Sequence, residues 1–257
     1  MGGNNMNSVT VKNITIGEGM PKICVPIAEK TLEGIFGAAK EIVKSPADFV
    51  EWRADWVEEF MDLGVVEQVL LQLQVVLNEK PILFTYRTKN EGGQRDISFG
   101  EYASLLKFVA SKKLADIIDV EVYFDENVPD LIAELKQSDV IVLGSNHDFE
   151  KTPQRREIVQ TLGYMQFIGA DILKMAVMPQ NKQDVLMLLS ATEEMVTKHA
   201  TRPVITMAMG NGGVISRMTG EIFGSAVTFG ALGQASAPGQ INVYELKKML
   251  EMLHSIS

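Results

Sequence analysis

Cysteine is almost absent from this chain. Cys24 is the only one in 257 residues, which excludes an intrachain disulfide and agrees with a reducing compartment. It sits in the apolar run Ile23-Cys24-Val25 and reads as a core residue rather than a catalyst. Positive charge is also scarce: 24 basic against 33 acidic residues give a formal charge of −9, and no basic cluster exceeds an adjacent pair such as Lys112-Lys113 or Arg155-Arg156. A nucleic-acid footprint needs more positive surface than that. No apolar run approaches bilayer-spanning length, and Met1-Gly2-Gly3-Asn4-Asn5-Met6 lacks the charged and apolar regions of a signal peptide. The expectation is a cytoplasmic protein with no nucleic-acid and no membrane partner. Paired histidines, His-Glu-x-x-His and clustered cysteines are missing, so structural zinc has no support.

What the chain does have is a regular alternation. Hydrophobic residues make up 46% of it, enough for a large core. Short β-rich runs at 23–27, 48–54, 82–86, 117–122, 140–144, 172–177, 204–208 and 226–229 alternate with helical stretches at 32–43, 65–77, 99–109, 129–135, 155–167, 184–199, 216–223 and 243–253. Apolar strands each followed by a helix imply a parallel sheet covered by helices. Eight such units predict an α/β fold of the closed (β/α)8 barrel type. The rival is an open doubly wound sheet, but no Gly-x-Gly-x-x-Gly fingerprint follows any strand. Residues 1–21 form an N-terminal extension in which 9–18 is expected to make a hairpin capping the barrel bottom, and 22–257 form one barrel with no internal linker.

Chemistry in a barrel belongs at the C-terminal ends of the strands, and the unusual polar residues fall there. Lys174 lies within the apolar segment Asp171-Ile172-Leu173-Lys174-Met175-Ala176-Val177. An ammonium in such surroundings is costly unless it is paired or hydrated, and a deprotonated amine is a nucleophile able to form a Schiff base. A lysine snorkelling from a strand end is the bland reading. Glu51 and Arg53 share one face of the second strand. Arg87 ends the third, with Glu91 in the loop beyond, and Glu121 lies on the fourth. The fifth runs into Ser145-Asn146-His147-Asp148, the seventh into Gly210-Asn211-Gly212-Gly213, and Arg217 follows. Glu51 and Arg53 are also read as a structural ion pair, and Glu51, Glu121 and Asp148 as a Mg²⁺ site. The surrounding lysine and arginines argue instead for an anionic small molecule, and His199 and His254 read as surface residues. A class I aldolase or transaldolase-like enzyme, and a non-catalytic binding barrel, stay open as alternatives.

Several stretches together resemble one family in order and spacing. They are Glu51-Trp52-Arg53-Ala54-Asp55, Phe84-Thr85-Tyr86-Arg87 with Glu91-Gly92-Gly93, Ser145-Asn146-His147-Asp148-Phe149, Lys174-Met175-Ala176-Val177-Met178-Pro179, Gly213-Val214-Ile215-Ser216-Arg217, and Ala235-Ser236-Ala237-Pro238-Gly239-Gln240. From about Lys22 to Leu250 the chain resembles the type I 3-dehydroquinate dehydratases, Schiff-base-forming enzymes of the shikimate pathway. The resemblance implies Lys174 as the imine-forming lysine, His147 as the general acid–base and Glu91 as the carboxylate that positions it. It further implies that Arg217 binds the substrate carboxylate, and that Glu51, Arg53 and Arg87 hold the hydroxyls. Ser236 and Gln240 would lie on a loop, 235–240, that closes over the bound molecule, with Glu121 and Asp148 supporting from behind. No cofactor and no metal are expected, and a homodimer is expected from base rates. The turn Gly210-Asn211-Gly212 is smaller and less charged than this resemblance leads one to expect, which bears on substrate packing.

Overall fold

The computed structural model describes residues 7–57, 62–233 and 237–256. The chain opens on two short strands, β1 (Val9–Val11) and β2 (Ile14–Ile16), paired antiparallel. There follow β3 (Lys22–Ile27), α1 (Leu32–Val43), β4 (Phe49–Arg53), α2 (Leu63–Leu77), β5 (Ile82–Thr85), α3 (Phe99–Ser111), β6 (Ile117–Glu121) and α4 (Val128–Lys136). The second half runs β7 (Ile141–Asp148), α5 (Arg155–Phe167), β8 (Ile172–Val177), α6 (Lys182–Glu194), β9 (Val204–Ala208), α7 (Val214–Met218), α8 (Gly220–Phe223), β10 (Val227–Ala231), β11 (Ile241–Asn242) and α9 (Val243–His254). Strands β3 to β9 pair in chain order, all parallel, and β10 pairs with β3. The curled sheet closes where Ala226 N–H donates to Val204 O at 2.8 Å, bringing β10 to β9. The (β/α)8 barrel with an N-terminal hairpin is therefore what the sequence folds into.

Boundaries differ in three places. β7 runs to Asp148, because its pairing with β8 continues to Asp148 opposite Val177, so His147 is a strand residue and not a loop residue. The long sixth helix ends at Glu194 and finishes as one π turn, Met195–His199. The helix expected at 216–223 is two short helices, α7 and α8, that meet at Thr219.

Successive residues of a strand face opposite sides, and this sorts the barrel into layers. The lowest inward layers are apolar: Cys24, Leu83, Leu143 and Ile205 from one set of alternate strands, and Phe49, Ile117, Ile172 and Val227 from the other. The hairpin residues Val11, Ile14 and Ile16 pack into the same cluster and floor the barrel. Two residues further along β4, β6, β8 and β10 stand Glu51, Asp119, Lys174 and Phe229. The polar chemistry begins one layer above a dry floor.

The sequence Ala-Asp precedes three of these strands, at Ala47-Asp48, Ala115-Asp116 and Ala170-Asp171. Each carboxylate accepts the N–H that opens the neighbouring strand, from Ile23 at 2.7 Å, Ile82 at 2.8 Å and Val142 at 3.1 Å. At the fourth seam the Ser225 hydroxyl accepts from Thr206 N–H at 3.1 Å. These clips set the register of β4, β6 and β8 against their partners, and so the height at which Glu51, Asp119 and Lys174 meet.

Candidate active site

Lys174 is 4% exposed. Its Nζ lies 3.6 Å from Glu51 Oε1, 3.9 Å from Asp119 Oδ2 and 4.3 Å from the centre of the Phe229 ring. The sequence suggested cations around this amine; the nearest charged groups are two acids and an aromatic face. The reason is the layering, which brings the third residue after each Ala-Asp clip to one height.

Arg87 lies two residues beyond the end of β5, and its guanidinium is spent on the protein. Nη2 donates to Asp119 Oδ2 at 2.8 Å, and Nη1 to Glu121 Oε1 at 2.9 Å and to Ser145 Oγ at 3.0 Å. Burial works against its charge, but Asp119, Glu121, Glu91 and Glu51 outweigh that and raise its pKa well above the ordinary value. Glu121 also accepts from the backbone and hydroxyl of Thr88, at 2.8 and 2.7 Å. It stands behind Arg87. Asp148 instead accepts from the N–H groups of Glu150 and Lys151 and shapes a loop, so Glu51, Glu121 and Asp148 do not converge. Among the described residues no group of three or more His, Cys, Asp or Glu has metal-binding geometry.

Glu91 is carried back over the barrel mouth by a tight turn after β5. The turn needs glycine: a Cβ at Gly93 would run into the Arg87 carbonyl oxygen. The Glu91 carboxyl meets His147 twice, at the backbone N–H (3.0 Å) and at Nδ1 (2.8 Å), and accepts from Asn146 Nδ2 at 3.1 Å. Burial, then Glu121 and Asp119 working against Arg87, push Glu91 up to about 8. Burial first, then the positive charges of Arg87, Lys174 and Arg53, hold His147 well below the usual histidine range. A neutral imidazole whose Nδ1 is engaged leaves Nε2 for proton transfer.

Arg53 is bound in a fork by Asp55, with Nε and Nη2 each 2.8 Å from a carboxylate oxygen. Asp55 is wholly buried and also takes the N–H groups of Arg87 and Gln94, tying the ends of β4 and β5 together. Arg217 is different. It is 2% exposed; Nη2 donates to Pro238 O at 3.2 Å, Nη1 lies 3.7 Å from the Met207 sulfur, and Nε has no partner. No carboxylate pairs with it among the described residues, and burial pulls it down to about 10.

These side chains line one cavity of about 90 Å³, walled by Glu51, Arg53, Arg87, Glu91, His147, Lys174 and Arg217 and topped by Ala237 and Gln240. A larger groove of about 700 Å³ runs outside the barrel between α1 and Trp56. Its charged residues, Glu29, Lys30 and Glu41, are exposed and do not converge, so the smaller cavity is the chemical one. Ser236, expected on the closing loop, lies outside the described residues, as do Gln234 and Ala235. The remainder of that loop rests on the small turn after β9: Gly210 has φ +69° and its N–H donates to Pro238 O at 3.1 Å. A Cβ at Gly239 would run into the Gly210 backbone, whereas one at Gly210 would meet only the Met178 sulfur and one at Gly212 nothing, so it is Gly239 that lets the two loops touch.

Reading the sequence residue by residue passed over Asp119, Asp55 and Thr85. Thr85 donates to Glu51 Oε1 at 3.0 Å. The signal for Asp119 was available, since it precedes Glu121 by two on the same strand and therefore shares its face. His199 and His254 are exposed at the surface, as expected, and Cys24 is buried in the barrel floor.

A profile described as Type I 3-dehydroquinase matches residues 23–257. A 3-dehydroquinate dehydratase of Clostridioides difficile (strain 630) is 49% identical over 247 residues, covering 96% of this chain and 97% of the relative. The solved type I 3-dehydroquinate dehydratase of Clostridium difficile, bearing covalently modified comenic acid, superposes with a TM-score of 0.95 at 48% identity, over 98% of this chain and 99% of that one. The 3-dehydroquinate dehydratase of Geobacillus kaustophilus HTA426 gives 0.95 at 35% identity, over 99% of both chains.

Proposed function

The chain belongs to the type I 3-dehydroquinase family and is a dehydratase, a carbon–oxygen lyase, and on that premise we propose that it converts 3-dehydroquinate to 3-dehydroshikimate through a covalent imine on Lys174, with His147 moving the protons. The observation that carries this is the composition of one small cavity at the barrel mouth. It holds a buried amine, a neutral imidazole fixed by Glu91, and a buried guanidinium with no carboxylate partner among the described residues.

Lys174 Nζ adds to the ketone carbon to give a carbinolamine, and loss of water leaves an iminium. The iminium is a stronger electron sink than the carbonyl, so the proton on the adjacent carbon becomes removable and His147 takes it, leaving an enamine. The enamine pushes out the β-hydroxyl as His147 returns the proton, and that second water is the net product of dehydration. Addition of one water to the conjugated iminium then frees the ketone product and Lys174. Glu91 holds the His147 ring through Nδ1 across these steps.

Arg217 takes the substrate carboxylate in this reading, since a planar two-donor group suits a carboxylate better than the nest a phosphate needs. Glu51 and Arg53 hold the hydroxyls, Arg87 keeps the acids in place from behind, and Gln240 with Ser236 closes the mouth. The reaction lies on the route to chorismate and the aromatic amino acids, and a cytoplasmic homodimer is the form expected.

The test is borohydride reduction in the presence of 3-dehydroquinate, followed by peptide mass mapping. A stable adduct on Lys174 is expected, lost in Lys174→Ala together with nearly all activity; Lys174→Arg should do no better, because guanidinium stays protonated. Turnover without an adduct, or an adduct on another residue, rules the mechanism out.

A further inference from the structure

We propose that Asp119 is the fixed counter-charge of the iminium nitrogen on Lys174, a positioning residue that acts through Lys174 and does not touch the substrate; this rests on the Lys174 imine reading above. Two carboxylates stand near Nζ, and they are not equivalent. Glu51 Oε1, at 3.6 Å, lines the cavity from which the substrate arrives. Asp119 Oδ2, at 3.9 Å, belongs to a residue with no exposed surface and takes no part in the cavity wall. A carbon bonded to Nζ must come from the cavity, where it meets Glu51, while the side facing Asp119 stays as it is.

Asp119 is also held still. Its Oδ2 accepts from Arg87 Nη2 at 2.8 Å and its Oδ1 from Ser145 Oγ at 2.7 Å. Facing Lys174 are Glu51 on β4, Arg87 on the β5 loop, Asp119 on β6, His147 on β7 and the Phe229 ring on β10, with Cys24 of β3 below. The imine nitrogen is positive in the iminium, neutral in the enamine and positive again in the conjugated product, in a pocket that already holds Arg53, Arg87 and Arg217. A carboxylate locked behind that nitrogen stabilises both cationic stages without reorganising, the preorganised arrangement that electrostatic catalysis requires.

The experiment uses the full chain with 3-dehydroshikimate as probe. Asp119→Asn should lower the initial rate of borohydride trapping on Lys174 by about 10–100-fold, the leverage one opposite charge within 4–6 Å exerts on a protonation equilibrium. In a Lys174→Ala background the same change should leave calorimetric affinity for 3-dehydroshikimate within about twofold, because Asp119 does not reach the ligand; Asp119→Glu should restore part of the trapping. Undiminished trapping overturns the proposal, as does an affinity loss of equal size in the Lys174→Ala background, which marks a structural role. Absence of any adduct in the unmodified enzyme instead removes the imine reading itself. Should Asp119→Asn fail to fold, infrared spectroscopy of the native adduct with ¹⁵N-labelled lysine decides. A C=N band that shifts in D₂O is expected, and a neutral imine overturns the assignment.

Discussion

Replacing Arg217 by methionine is expected to stabilise the ligand-free protein while weakening its hold on a carboxylate ligand, two effects of opposite sign from one residue. The guanidinium is 2% exposed and pairs with no carboxylate among the described residues. Burial lowers its pKa from the ordinary arginine range to about 10, a drop that at about 1.36 kcal/mol per pKa unit corresponds to about 3 kcal/mol of unfavourable charge burial. Methionine retains most of the aliphatic volume but forfeits the charged bond to Pro238 O, worth about 1.5–3 kcal/mol, leaving a net gain of up to about 1.5 kcal/mol. For a chain of this size that raises Tm by up to about 6 °C. The folded pKa lies below the unfolded one, so the penalty applies wherever Arg217 is protonated in the fold, below about pH 10; the gain should be constant from about pH 6 to 8. With saturating 3-dehydroshikimate the order reverses, because loss of a desolvated charged contact costs about 2–5 kcal/mol of binding. Scanning calorimetry with and without ligand reads both effects. A ligand-free Arg217→Met protein that melts below the parent refutes the argument that the charge is uncompensated. An unchanged ligand-induced shift moves the carboxylate site to Arg53.

Burial and nearby cations hold His147 neutral well below the usual histidine range, so any acid limb of kcat/KM from this group should lie well below the ordinary histidine value of about 6.5, and a limb at that ordinary value contradicts the geometry. The same lowered pKa means the unfolded chain binds this proton first, so His147 costs stability progressively as pH falls below about 6.5, and His147→Phe should flatten that part of a melting curve measured against pH. His147→Ala should also accumulate a trappable adduct while turnover falls about 10²–10⁴-fold. At the floor, Ile16 has no exposed surface and packs with Val11 and Ile14 inside the barrel. Ile16→Ala is therefore expected to cost about 2–5 kcal/mol, read by chemical denaturation, and a change under about 0.5 kcal/mol would make the hairpin a mere appendage.

The sequence alone settled the repeating strand–helix plan. Each inward strand position had to be apolar or specially paired, and each helix carried its own stripe, so periodicity revealed the barrel and even the hairpin beneath it. It also marked Lys174, because a charged residue within an apolar strand is costly enough to stand out locally, and His147 by its place just after one; the parts given to Glu91 and Arg217 came from the family resemblance of their motifs. What it did not reveal depends on relations between distant strands. That Glu51 and Asp119, not cations, are nearest to Lys174 follows from three Ala-Asp clips setting strand register across the ring. That Asp148, the last residue of β7, spends its carboxylate on the loop that follows, while Asp119 on β6 is locked by Arg87 and Ser145, depends on contacts formed between strands. Charge pairing in a barrel is decided by height and angle around the axis, and those exist only once the sheet has closed.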